Sequence, residues 1–147
     1  MTPEQAQIIK STFAAVMKDK VKVGLLFYDR LFTIAPDTKL LFKKDMAEQS
    51  RKLMDTLALA IGMLRDMPSL VMTLEGLARR HVAYGVKDEH YDKVGEALLW
   101  TLQQGLGSAF TPQAREAWTA LYVAVAKIMR DAVKPGSKPA RLDHAIA

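Results

Sequence analysis

The sequence predicts an all-α domain. Three observations carry that expectation. Apolar residues recur at spacings of three and four through the first 133 residues, and no stretch keeps the period-two alternation of a half-buried strand. Side chains able to cap free backbone N–H groups stand where the periodic runs begin.

A first helix is expected near 3–19, opened by Thr2-Pro3 with Gln5 three residues after the cap, the pattern of a capping box. A second runs near 21–35 and is stopped by Pro36, which leaves a short element at 36–42. Asp45 with Glu48 opens a long helix near 45–66, Pro68 separates it from one near 69–84, and Gly85 is a natural stop because it turns left-handed at little cost. Helices near 88–106 and 112–133 follow, the first ended by Gly107 and the second opened by Thr111-Pro112. The total is about seven helices. Lys134 to Ala147 holds Pro135, Gly136 and Pro139, with Lys134, Lys138 and Arg141 against Asp143, and reads as a polar, flexible tail.

The 147 residues, 50% hydrophobic and 25% charged, suit one domain with a sizeable core, and no internal repeat is visible. No run of about 18 apolar residues suggests a membrane span. The N-terminus lacks the basic and then apolar plan of a signal peptide, so a cytoplasmic location is expected. With no cysteine, disulfides, thiolate metal sites and thiol nucleophiles are excluded. His81, His90 and His144 are too far apart in sequence to form a helical metal-binding pair, and Gly105 and Gly107 are not followed by the residues of a phosphate loop. The net charge of +5 is spread over short clusters such as Lys43/Lys44 and Arg79/Arg80, without interleaved aromatics, so solvated helix faces are expected rather than a nucleic-acid surface.

Polar residues on apolar stripes carry the functional signal. The second helix has a stripe through Leu25, Tyr28, Leu31, Phe32 and Ala35, and the long helix after it one through Met46, Gln49, Leu53, Leu57 and Leu64. Leu70, Leu74, Leu77 and His81 share a face of the next, and Tyr91 opens a stripe with Val94, Leu98 and Leu102. Taken singly, each polar residue has a structural explanation, such as a core phenol whose hydroxyl reaches water or a hydrogen-bonded core imidazole. A buried polar group without a partner costs roughly 1–3 kcal/mol, so several on facing helices point to a shared polar object. A haem needs one strong protein ligand, and a neutral His81 with its second ring nitrogen on the Leu77 carbonyl could supply it. Tyr28 and Gln49 would then face the opposite side as hydrogen-bond donors to a diatomic ligand.

These residues also carry a resemblance. Leu26-Phe27-Tyr28-Asp29-Arg30-Leu31-Phe32 with Pro36, Leu41 and Phe42, and Leu77 to Val86 with His90-Tyr91 and Val94-Gly95, follow in the right order on either side of Gln49. Over about residues 4 to 133 the chain resembles the globins, in particular single-domain bacterial haemoglobins related to the haem domain of flavohaemoglobins. The resemblance implies a globin haem domain over 1–133 that binds haem b. His81 matches the proximal iron ligand, Phe42 the aromatic stacked on the haem, Tyr28 and Gln49 the distal hydrogen-bonding pair, and Leu53 the apolar residue over the iron. Val86 and Val94 match pocket-lining positions, Arg80 and Lys52 are candidates for the haem propionates, and Tyr91 matches the tyrosine behind the proximal histidine. The distal histidine of animal globins is absent, so a bis-histidyl state is not implied. The glutamate that accompanies the proximal tyrosine in flavohaemoglobins is also absent: its position falls on Val133, near Asp131, which argues against peroxidase-like chemistry.

The function implied is reversible, tight binding of O2 and of other diatomics such as CO and NO. The enzymatic alternative is nitric oxide dioxygenation, in which O2 and NO give nitrate and ferric iron. The sequence shows no flavin or nicotinamide segment, so that reaction is expected to need a separate reductase. A sensor acting through a partner and a cofactor-free helical interaction domain are the remaining alternatives. Haem retention separates the last from the globin reading.

Overall fold

The structure is a computed structural model and describes residues 1–42 and 45–134. The tail expected beyond Lys134 lies outside the described residues, as do Lys43 and Lys44. Six α-helices carry the fold: α1 (Pro3–Met17), α2 (Lys20–Ile34), α3 (Met46–Gly62), α4 (Met67–Ala83), α5 (His90–Leu106) and α6 (Pro112–Ala132). Two short 3₁₀ segments, Pro36–Leu41 and Gly107–Ala109, join α2 to α3 and α5 to α6, and no strand occurs among the described residues.

The expected capping chemistry forms. Thr2 accepts from the Gln5 N–H while Gln5 reaches back to the Thr2 N–H, and Asp45 and Thr111 accept from the backbones of Ala47 and Ala114. Pro68 sits in the first turn of α4 rather than before it, because Asp66 caps that helix and a proline there forfeits no helical hydrogen bond. α3 ends at Gly62, short of the expected 66, in turns over Met63 to Arg65. Gly85 lies just beyond α4 with φ of +94°, the left-handed conformation expected of a helix stop.

The core forms two clusters. The larger gathers Ile9, Phe13, Phe27, Tyr28, Leu31, Met54, Leu98, Leu102, Trp118 and Leu121, from α1, α2, α3, α5 and the first half of α6. The smaller gathers Leu70, Leu74 and Ala78 of α4 with Tyr91, Ala126 and Met129. Leu64, Tyr122 and Val125 pack against both clusters and join them. α4 lies closely against α6, whereas α2 packs on both α3 and α5. At the α2–α3 crossing, a Cβ on Gly24 would stand 2.5 Å from the Ser50 Cβ, so only glycine lets the two backbones approach this far. No described helix is long and apolar enough to cross a membrane.

The burial of two stripes departs from expectation. On α3 the fully buried row is Ser50, Met54 and Ile61, whereas Met46, Gln49, Leu53 and Leu57 are half-buried. On α4 the buried row is Leu70, Leu74 and Ala78, whereas Leu77 and His81 are half-buried. Each helix therefore has one row sunk in protein and a second, adjacent row that is partly exposed. On α2, Leu25 is exposed, and Val23, Gly24 and Phe27 are buried beside Tyr28 and Leu31.

Candidate functional site

Tyr28 projects from α2 into the large cluster, 5% exposed, with its ring edge-on to Phe27 and Phe42 at 5.0 Å. The Gln49 Nε2 of α3 donates to the Tyr28 hydroxyl oxygen at 3.2 Å. That leaves the phenol proton free to be donated elsewhere. Burial pushes the Tyr28 hydroxyl above its ordinary pKa, an effect that the bond from Gln49 partly offsets, so the group persists as a neutral donor. Leu53 and Phe42 are half-buried against the same cluster, as is Val94 of α5. Tyr28, Leu53, Phe42 and Val94 thus share one core cluster, with Gln49 bonded to Tyr28.

His81 projects from α4 beside the smaller cluster. Its Nδ1 lies 2.9 Å from the Leu77 carbonyl, to which it can only donate, so Nε2 carries the lone pair. Among the described residues Nε2 has no hydrogen-bond partner. Burial lowers the pKa of His81, the bond to Leu77 opposes this, and the neighbouring Arg80 adds to the lowering. The ring is thus neutral and oriented, as an axial metal ligand must be. Val86, half-buried beside the smaller cluster, is fixed by its N–H on the His81 carbonyl.

The two groups belong to opposite cores. Tyr28, Gln49, Leu53, Phe42 and Val94 pack on the large cluster, Leu77 and Val86 on the small one, and half-buried apolar rows edge both. This donor set fits a haem: one neutral imidazole, an apolar lining and neutral hydrogen-bond donors without a second strong ligand. An imidazole in the middle of a fully packed core would instead have both ring nitrogens satisfied.

The remaining expected residues are less engaged. Lys52 is exposed and stands 3.9 Å from Glu48, a weak pair on the helix surface. Arg80 is exposed and near enough to His81 to disfavour its protonation. Tyr91 is buried in the small cluster beneath the Arg130 guanidinium, 5.2 Å from its ring, and its carbonyl accepts from the Tyr122 hydroxyl. Burial raises the Tyr91 pKa. Val133 is exposed, and Asp131 is engaged by Lys127 and Lys134, which hold its carboxyl down to about 2.

Sequence reasoning assigned no role to His90. It is 4% exposed, donates from Nε2 to Asp37 at 2.8 Å and accepts at Nδ1 from the Lys87 N–H at 3.0 Å. Its partner Asp37 lies 53 residues away. No local pattern announces such a pair, although a histidine at a helix start after a charged loop is a weak hint.

Comparisons with known proteins identify the family. The globin family model matches residues 25–129. Neuroglobins from Chaenocephalus aceratus and Tetraodon nigroviridis are each 32% identical to the chain, over 88% of it and 90% of the former, and over 95% of it and 98% of the latter. A flavohemoprotein from Vibrio cholerae is 31% identical over 89% of this chain, which spans 34% of that protein. The crystal structure of a hexacoordinated haem protein from an anhydrobiotic tardigrade superposes with a TM-score of 0.82 over 90% of this chain and 94% of that one, at 16% identity, a likeness of fold. With the helical order, the split core and the matched residues in agreement, the chain belongs to the globin family.

Proposed function

We propose that the chain binds one haem of the b type non-covalently, with His81 as its axial ligand, and takes up O2 and other diatomic gases reversibly and tightly, as a haemoglobin of the single-domain bacterial kind. When bound, the haem supplies a ferrous centre with one position open to a diatomic gas. The observation that supports the reading is the pairing of a neutral imidazole, its Nε2 unpartnered among the described residues, with a buried phenol whose proton Gln49 leaves free.

Within this reading the Leu77 carbonyl fixes the His81 tautomer and ring plane. Tyr28 would offer its phenol O–H as a hydrogen-bond donor to a diatomic gas held there, and Gln49 holds the phenol in place by donating to its oxygen. Leu53, Phe42, Val86 and Val94 exclude water, which strengthens that hydrogen bond. Lys52 and Arg80 are free to swing toward the haem propionates, being surface side chains. With Nδ1 of His81 on a carbonyl rather than a carboxylate, the ring gains little imidazolate character, which favours ligand binding over peroxide cleavage.

Nitric oxide dioxygenation is the second reading, favoured by the likeness to the Vibrio cholerae flavohemoprotein and by a donor pair suited to slow release of O2. It requires an electron donor to return ferric iron to the ferrous state. The test is an absorption spectrum of the purified protein, ferric, reduced, and reduced with O2 or CO, alongside His81→Ala. An intense Soret band that shifts with each ligand and is lost or altered in His81→Ala is expected. No Soret band after hemin is added would overturn the haem reading, and an unchanged ferrous spectrum in His81→Ala would overturn the ligand assignment. Nitrate formation from NO with a supplied reductase separates the enzyme from the binder.

A further inference from the structure

The loop between α4 and α5 and the 3₁₀ segment before α3 meet at one buried side chain. The Val86 N–H bonds the His81 carbonyl at 2.9 Å, the Lys87 N–H bonds the Nδ1 of His90 at 3.0 Å, and the His90 Nε2–H bonds Asp37 at 2.8 Å. Asp37 belongs to the segment that ends beside Phe42. A second bond, from the His90 N–H to the Lys87 carbonyl at 3.0 Å, closes the turn. A Cβ at Gly85 would stand 3.4 Å from Leu41, so loop and segment are also in close approach. A short chain of hydrogen bonds thus runs from the backbone of His81 to the segment that carries Phe42.

We propose that His90 is a positioning residue that ties the two rims of the haem crevice together while neutral and releases one of them when protonated. The chemistry follows from the inventory of the ring. A neutral imidazole has one donor and one acceptor, and here Nε2 donates while Nδ1 accepts. A second proton can go only to Nδ1, where the Lys87 N–H already points, and two donors then face each other. Protonation therefore breaks the bond to Lys87 and leaves the bond to Asp37 charge-assisted and stronger. The charged groups around the ring are Asp37 of the 3₁₀ segment, Glu89 and Lys87 of the loop. From α6, Arg130 engages Asp88 and Asp92, one cation shared between two carboxylates. The same geometry argues against a metal ion at Asp37, Glu89 and His90, whose ligand atoms lie within 4.8 Å of one another. Metal at Nε2 would also require the proton on Nδ1.

The inference rests on the haem reading above, and its test has a limb that does not. In the diamagnetic CO-bound ferrous protein, long-range ¹H–¹⁵N spectra are expected to show His90 as the Nε2–H tautomer near neutral pH. As the pH is lowered from about 8 to 5, the Lys87 amide resonance is expected to move together with the His90 ring. Over the same range, haem transfer to excess apomyoglobin is expected to accelerate about 2- to 10-fold, the worth of one neutral hydrogen bond. His90→Asn keeps an acceptor for Lys87 but cannot titrate, and is expected to remove that step. Asp37→Asn, which leaves the ring and the Lys87 amide in place, is expected to keep the step. A step unchanged in His90→Asn, an Nδ1–H tautomer, or a Lys87 amide indifferent to the ring would overturn the proposal. A chain that takes up no haem overturns the function proposed above and the haem limb here, whereas the tautomer and the Lys87 amide still decide the tie itself.

Discussion

Gln49 donates to Tyr28, not the reverse, across 3.2 Å between α3 and α2. The phenol proton is therefore left free, and under the function proposed above it is the one a bound gas would meet while the amide acts through it. A hydrogen bond to a partly charged acceptor is worth about 1.5–3 kcal/mol, so Tyr28→Phe is expected to raise the O2 dissociation rate about 10- to 100-fold. Gln49→Leu is expected to raise it by less. Stopped-flow displacement of O2 by CO measures both, and a larger effect of Gln49→Leu would show that the amide is the primary donor.

Alkali is expected to leave that donor intact. Burial disfavours the phenolate of Tyr28 and raises its pKa above the ordinary value of about 10. The sign is that of a group held neutral by folding: its contribution to stability is present below pH 10 and declines as the pH rises above it, because the unfolded chain ionises first. The O2 dissociation rate should show no step between about pH 7 and 10. A step there, lost in Tyr28→Phe, would contradict the assignment.

The α2–α3 crossing sets the spacing of the distal pair. A Cβ on Gly24 meets the Ser50 Cβ at 2.5 Å and the Ser50 Cα at 2.9 Å, so backbone as well as side chain must move. Gly24→Val is expected to destabilise the fold by about 1–3 kcal/mol, read as a lower urea midpoint, and to accelerate O2 release by parting Tyr28 from Gln49. Ser50→Gly in the same chain removes the closer contact and is expected to restore part of both.

Trp118 is fully buried, with its indole N–H on the Thr12 hydroxyl at 2.9 Å, and it fastens α6 to α1. Trp118→Ala is expected to lower stability by about 3–5 kcal/mol through the cavity it leaves, measured by denaturant unfolding. Thr12→Val leaves the indole N–H unpaired and is expected to be milder, at about 1–3 kcal/mol.

Much of this was legible in the sequence because it is written locally. The capping residues Thr2, Asp45 and Thr111, the stop at Gly85, and the rows carrying Tyr28, Gln49 and His81 all follow from spacing within one helix. Periodicity marks which face is apolar but not which of two adjacent rows meets protein. Ser50-Met54-Ile61 and Gln49-Leu53-Leu57 lie one residue apart, and only the packed helices separate the sunken row from the half-buried one. The partnerships of His90 with Asp37 and of Arg130 with Asp88 and Asp92 depend on long-range chain return, which no local pattern encodes.

The division of the core has a consequence for the order in which the molecule comes apart. With Leu64, Tyr122 and Val125 as the residues shared between clusters, α4 is held chiefly by its face on α6. Amide hydrogens of α4 should exchange well ahead of those of α2 and α5, as a separate cooperative unit with a smaller opening free energy. A haem held by His81, as proposed above, would bridge the two halves and slow that exchange.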